Sequence, residues 1–158
     1  EVEKVILDYQ SKTSVNLAKI LLKEYWKKDV EFIDATGEDF RKEIKGSVAG
    51  VVIGDRALEQ RLQSNFSYDL GEAWKAHTGL PFVFAAWISN KILPPEFVEK
   101  FNEANAYGLR HLDEVIANTY SPDYDLQYYF TKNIDYTLNS DKKKALQLFL
   151  DKLSDLPG

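Results

Sequence analysis

The sequence contains neither cysteine nor methionine among its 158 residues. Without cysteine there are no disulfides, thiolate metal sites or cysteine nucleophile, although the compartment is not fixed by that absence. No apolar run approaches the ~20 residues needed to cross a bilayer. The longest, Leu80 to Ile88, is of strand length. No signal-peptide pattern is present either, so a cytoplasmic protein with no membrane partner is expected. An excess of basic charge is missing too, with a net charge of -5 and a pI near 5.1. A nucleic-acid footprint would need a basic face. The short runs Lys27-Lys28 and Lys142-Lys143-Lys144 sit on amphipathic stretches and read as solvated faces. The two histidines, His77 and His111, show no zinc-type spacing, so no metal is expected. A G-x-S-x-G elbow, a P-loop and a dinucleotide fingerprint are all absent, and no cofactor is expected.

What is present is an ordinary globular balance, 44% hydrophobic and 28% charged, enough for a real core. Thirteen per cent aromatic residues predict a ring-lined core or pocket. Val5-Ile6-Leu7, closed by Asp8, predicts a buried strand. Leu17, Ala18, Leu21, Leu22 and Tyr25 follow at helical spacing and predict a helix ending before Asp29. Val30 to Ile33 predicts a second strand. A short helix opens at Thr36-Gly37, carries Phe40 and Ile44, and stops at Gly46. Val48 to Ile53 is apolar on both faces, as covered parallel strands are, and ends at Gly54-Asp55. These residues read β-α-β-α-β, the signature of an open α/β sheet. Residues 66 to 80 are mixed. Pro81 to Ile88 predicts a further buried strand. After Pro94-Pro95 the pattern is helical: one long helix to Leu112, a tyrosine-rich helical stretch from Tyr124 to Leu138, and a last helix capped by Ser140.

The sharpest local signal is Asp8-Tyr9-Gln10-Ser11-Lys12-Thr13-Ser14, just after a strand and opening a helix. Free backbone N–H groups and the positive end of a helix dipole make such a place ready for an anion. Ser11, Thr13 and Ser14 add hydroxyl donors, three where a plain N-cap, the alternative reading of the same residues, needs one. In an open α/β sheet, ligands bind at the carboxyl ends of the strands, and a small-molecule carboxylate suits this one. Gly54 and Asp55, after the third strand, would let a ligand approach the backbone and accept a hydroxyl hydrogen bond, or would form a simple turn and cap. His111 beside Leu112 reads as structural, and Trp74 as a packing residue with a pocket wall as the alternative; His77, near the inferred boundary, is a weaker pocket candidate.

Three segments carry a resemblance to a known family. The stretch Tyr68-Asp69-Leu70-Gly71-Glu72-Ala73-Trp74-Lys75-Ala76-His77-Thr78-Gly79-Leu80-Pro81-Phe82-Val83-Phe84-Ala85-Ala86-Trp87 is similar to the most recognisable part of the menaquinone-pathway chorismate dehydratases. Asp8 to Ser14 resembles their strand-to-helix turn, with Lys12 where arginine is usual. Val52-Ile53-Gly54-Asp55 with Ala57-Leu58 resembles a third segment, with Arg56 where proline is common. The resemblance implies a type II periplasmic-binding-protein-like fold, two α/β lobes with a ligand cleft between them. It implies a lyase that dehydrates chorismate to 3-[(1-carboxyvinyl)oxy]benzoate.

On that resemblance residues 1–80 would be an α/β lobe, the second of the family fold. Residues 81–158 would be the returning hinge strand and a helical segment of the first lobe. Ser11, Thr13 and Ser14 would hold a substrate carboxylate, with Gly54 and Asp55 beside them. The chain opens at Glu1 within a strand pattern, so it is expected to lack the family's N-terminal segment, and with it the unidentified catalytic side chains. Apolar surface meant for that segment would invite pairing into a homodimer. The alternative is a non-catalytic carboxylate-binding module on the same fold.

Overall fold

The computed structural model describes residues 1–119 and 124–156. Three parallel strands form its sheet. Strand β1 (Lys4–Leu7) lies between β2 (Glu31–Asp34) and β3 (Val48–Gly50), with Val5 opposite Phe32 on one side and Ala49 on the other. Parallel neighbours require crossovers. Helix α1 (Lys12–Glu24) makes the first, and a 3₁₀ helix (Glu38–Glu43) the second. The second crossover passes β1 and returns on its far side, so the order reverses between β1 and β3.

Strand β3 is shorter than the Val48 to Ile53 run predicts. A Cβ on Gly50 would lie 2.5 Å from Ile44 Cδ1, so the bare backbone makes room for the chain leaving the 3₁₀ helix. One ladder bond continues past it, with Val51 N donating to Ile6 O at 2.8 Å. Helix α2 (Asp55–Gln63) follows and buries no side chain.

Helix α1 is buried on two sides. Ala18 packs with Val5, Leu7 and Val51 of the sheet region, while Leu17, Ile20 and Leu21 pack with Ala73, Trp74 and Phe149. Trp74 and Ala73 come from α3 (Leu70–Thr78), a helix hidden in the mixed composition of residues 66 to 80. Asp69 caps its start by accepting from Glu72 N at 2.8 Å, and Gly79 ends it at φ 73°, the left-handed turn where a side chain would be strained. Trp74 is the packing residue that the sequence suggests, fully buried, with Phe82 and Phe149 edge-on to it.

Phe149 belongs to α7 (Ser140–Ser154). Asn139, not Ser140, caps that helix, accepting from Lys142 N at 3.0 Å. By packing, the chain divides into Glu1–Phe84 with Leu138–Gly158, and Ala85–Thr137. This packing division falls after residue 84. The last helix goes with the α/β unit, because Ala145 and Phe149 are buried there.

The second unit is helical. Its α4 (Pro95–Arg110) starts with Pro95 in the first turn, as read. The short α5 (Leu112–Ala117) follows. The helix expected over Tyr124 to Leu138 shrinks to one turn, α6 (Leu126–Tyr128), running into a π-helical turn (Tyr129–Asn133); residues 134 to 138 carry no helix. Residues 120–123, just before that stretch, lie outside the described residues. The buried strand expected over Pro81 to Ile88 is not formed. Trp87 and Ile88 are 82% and 90% exposed, and no described strand lies alongside to complete a ladder. No helix among the described residues is long and apolar enough to cross a membrane.

Candidate functional site

All three strands end on the same edge of the sheet, and β1 ends in the middle of it. There the chain turns from Leu7 through Asp8, Tyr9 and Gln10 into α1. Ser11 adopts extended backbone and its Oγ accepts from Ser14 N at 3.0 Å, which makes it the N-cap. A hydroxyl that accepts this bond still has its own proton to donate. Beside the cap lies a recess of about 300 Å³. Asp8, Tyr9 and Ser11 line it from the loop, Lys12 and Asn16 from α1, and Asp34 from the end of β2. The first-turn amides and Lys12 make one wall positive, while Asp34 opposes it.

Of the five residues singled out in the sequence, Ser11 lines this recess. Thr13 and Ser14 follow in the first turn of α1 but do not line it, and Ser14 is buried. Gly54 and Asp55 lie on the β3 side of the same edge. Gly54, at φ 62°, precedes α2, and Asp55 is the helix's first residue rather than its cap. The recess and the Gly54-Asp55 turn thus flank the end of β1 from opposite sides.

Two residues that sequence reasoning left aside hold that edge together. The Asp8 side chain is fully buried and accepts four hydrogen bonds. They come from Gln10 N at 2.9 Å, Ile53 N at 3.3 Å, and Arg56 Nη2 at 3.1 Å and 2.9 Å to the two oxygens. Arg56 Nη2 also donates to Gln10 Oε1 at 2.8 Å, and its guanidinium carbon lies 5.6 Å from the centre of the Tyr9 ring. The pair joins the ends of β1 and β3 at the reversal of strand order, where ligands of open α/β sheets bind. The one signal for Asp8 was its position closing an apolar strand; a charged residue there is solvated or paired.

His77 lies elsewhere. Its Nε2 is 3.3 Å from Glu24 Oε2 at the far end of α1, about 20 Å along the helix from the cap. Lys152 of α7 bonds the same carboxylate. Burial raises the Glu24 pKa, but the hydrogen bonds and charges of Lys152 and His77 outweigh it and leave the group below its ordinary value. This cluster ties three helices together. His111 is structural, as read: its Nδ1 donates to Tyr107 O at 2.8 Å and the ring stacks on Tyr107.

The described residues thus form a mixed α/β unit, a three-stranded parallel sheet with a polar recess beside the head of α1 at its carboxyl edge. The chain belongs to the menaquinone biosynthesis family, whose profile matches residues 1–155. A chorismate dehydratase of Campylobacter jejuni is 33% identical over 104 aligned positions, covering 63% of this chain and 47% of the relative. A chorismate dehydratase of Thermus thermophilus is 29% identical over 178 aligned positions, covering 95% and 62%. The chain thus spans about half to three fifths of the length of these curated relatives.

Proposed function

We propose that this chain supplies the carboxylate-holding side of a chorismate dehydratase, a lyase that takes water out of chorismate to give 3-[(1-carboxyvinyl)oxy]benzoate. The family match over residues 1–155 and the two relatives named for that activity support the reaction class. The observation that carries the assignment of a site is the recess at the head of α1, with a capped helix start, the Ser11 hydroxyl and a lysine beside it. We read residues 1–80 as most of one lobe of a type II periplasmic-binding-protein-like fold, and the segment from Pro81 as its return toward a second lobe.

Loss of water aromatises the ring of chorismate, so much of the driving force resides in the substrate. The protein must orient it, accept one ring proton and assist the departing hydroxyl. In this reading Ser11 and the first amides of α1 grip a carboxylate, and the Thr13, Ser14, Gly54 and Asp55 backbone shapes the surrounding edge. No base is assigned to these residues: Asp8 is buried and paired.

Titration of the ¹⁵N-labelled chain with chorismate tests this. Shifts concentrated at the Ser11, Lys12 and Ser14 amides are expected, and a spectrum unchanged at millimolar chorismate would sink the proposal. Chromatographic detection of the benzoate product then shows whether these residues suffice for the chemistry.

A further inference from the structure

The recess holds a contradiction for an anion site. Asp8 brings a buried negative charge to the loop that carries the cap, three residues before Ser11. Asp34 adds a second carboxylate to the lining. Against them stand the dipole of α1, Lys12, and Arg56, which reaches across from α2 with only 15% of its side chain exposed. Arg56 is an unusual lock. A guanidinium that serves geometry pairs both terminal nitrogens with a carboxylate, fork to fork. Here all three hydrogen bonds to Asp8 and Gln10 leave from Nη2, while Nη1 is buried with no hydrogen-bond partner among the described residues. A dry, unpaired donor is a cost, and it is tolerated where the positive charge itself is what the place requires.

We propose that Arg56 is a specificity-determining residue of this site: by cancelling the buried charge of Asp8 it lets the recess at the head of α1 accept a carboxylate ligand. The inference rests on the reading of that recess as a carboxylate site and adds the residue that makes it electrostatically competent. Arg56 acts through Asp8, so it is a positioning and charge-balancing group rather than a catalytic one. The rival role is a purely mechanical strut between β1 and α2.

The two roles separate by ligand charge. The full chain is titrated with benzoate, with its neutral isostere benzamide, and with chorismate, reading the Ser11 and Ser14 amide shifts; urea unfolding checks each variant. Arg56→Gln is expected to weaken benzoate and chorismate by about tenfold, the size of one uncompensated charge several ångströms away, and to leave benzamide unchanged. Arg56→Lys keeps the charge and is expected to keep carboxylate binding. The double variant Asp8→Asn/Arg56→Gln removes both charges and is expected to restore it.

Equal losses for benzoate and benzamide, or a double variant no better than Arg56→Gln, would overturn charge balancing in favour of the strut. If Arg56→Gln does not fold, Arg56→Lys and the double variant decide: retained preference for benzoate in both supports the inference, and its loss in either overturns it. Carboxylate binding that ignores Arg56 would defeat this inference alone. A wild-type chain that binds no carboxylate would defeat it together with the proposed function.

Discussion

Replacing Trp74 separates two opposing contributions at the centre of the α/β unit. The side chain is fully buried among Leu17, Ile20, Leu21 and Phe149, with the rings of Phe82 and Phe149 at 5.3 Å and 6.2 Å. Truncation to alanine removes this packing and leaves a cavity, so Trp74→Ala should cost about 3–5 kcal/mol. The indole N–H, however, is buried with no acceptor among the described residues, a burden of about 1–3 kcal/mol that phenylalanine would lift. Phenylalanine gives up part of the indole surface, about 1 kcal/mol at ~25 cal/mol per Å². The two changes nearly cancel, and Trp74→Phe should lie within about 1 kcal/mol of the wild type.

Urea unfolding followed by circular dichroism measures both variants. Hydrogen exchange of the α1 amides reads this unit separately from Ala85–Thr137. A Trp74→Phe variant destabilised as much as Trp74→Ala would refute the reasoning, because it would mean that the indole N–H is satisfied and packing alone governs the site.

Three further outcomes are expected. Ser11→Ala removes the cap bond to Ser14 N and should lower stability by about 1 kcal/mol; Ser11→Asp should keep the cap but abolish carboxylate binding by repulsion, both measurable in one titration series. Gly79→Ala forces a side chain into the left-handed turn at φ 73° and should cost about 1 kcal/mol in thermal unfolding. Glu24 has its pKa depressed in the folded state, so the stability it contributes is present above its ordinary value of 4.5 and is lost as pH falls through the lower folded value. Glu24→Gln should therefore flatten the acid limb of the stability profile below that pH, and an unchanged limb would contradict the assignment.

The parts of the fold legible in the sequence are those set by neighbours along the chain. Strand β1, helix α1 and the cap at Ser11 follow from an apolar run, a helical stripe and a hydroxyl at the junction. Helix α3 was obscured because its sequence Leu-Gly-Glu-Ala-Trp-Lys-Ala-His-Thr buries little beyond Ala73 and Trp74, too few positions to mark a stripe. The Pro81 to Ile88 run shows the opposite failure. Its composition suits a strand, but a ladder needs a neighbour, and composition says nothing of whether one is there.

The site divides in the same way. Ser11 is visible in the sequence as one of three hydroxyls at a strand-to-helix junction. The Asp8–Arg56 pair spans 48 positions and exists because β3 lies beside β1 rather than beside β2, a property of strand order that no window along the chain contains.

The placement of α7 has a consequence for how the protein is made. Its Phe149 completes a core whose other buried members, Leu17, Ile20, Leu21, Ala73 and Trp74, lie before residue 85. A chain synthesised from its amino end therefore presents Leu17, Ile20, Leu21 and Trp74 with one wall missing while the whole Ala85–Thr137 unit is translated. Closure waits for α7 to leave the ribosome. A premature stop shortly before Ser140 would leave the sheet, the cap and the recess encoded in full, and would release a chain unable to close the core that holds them in place.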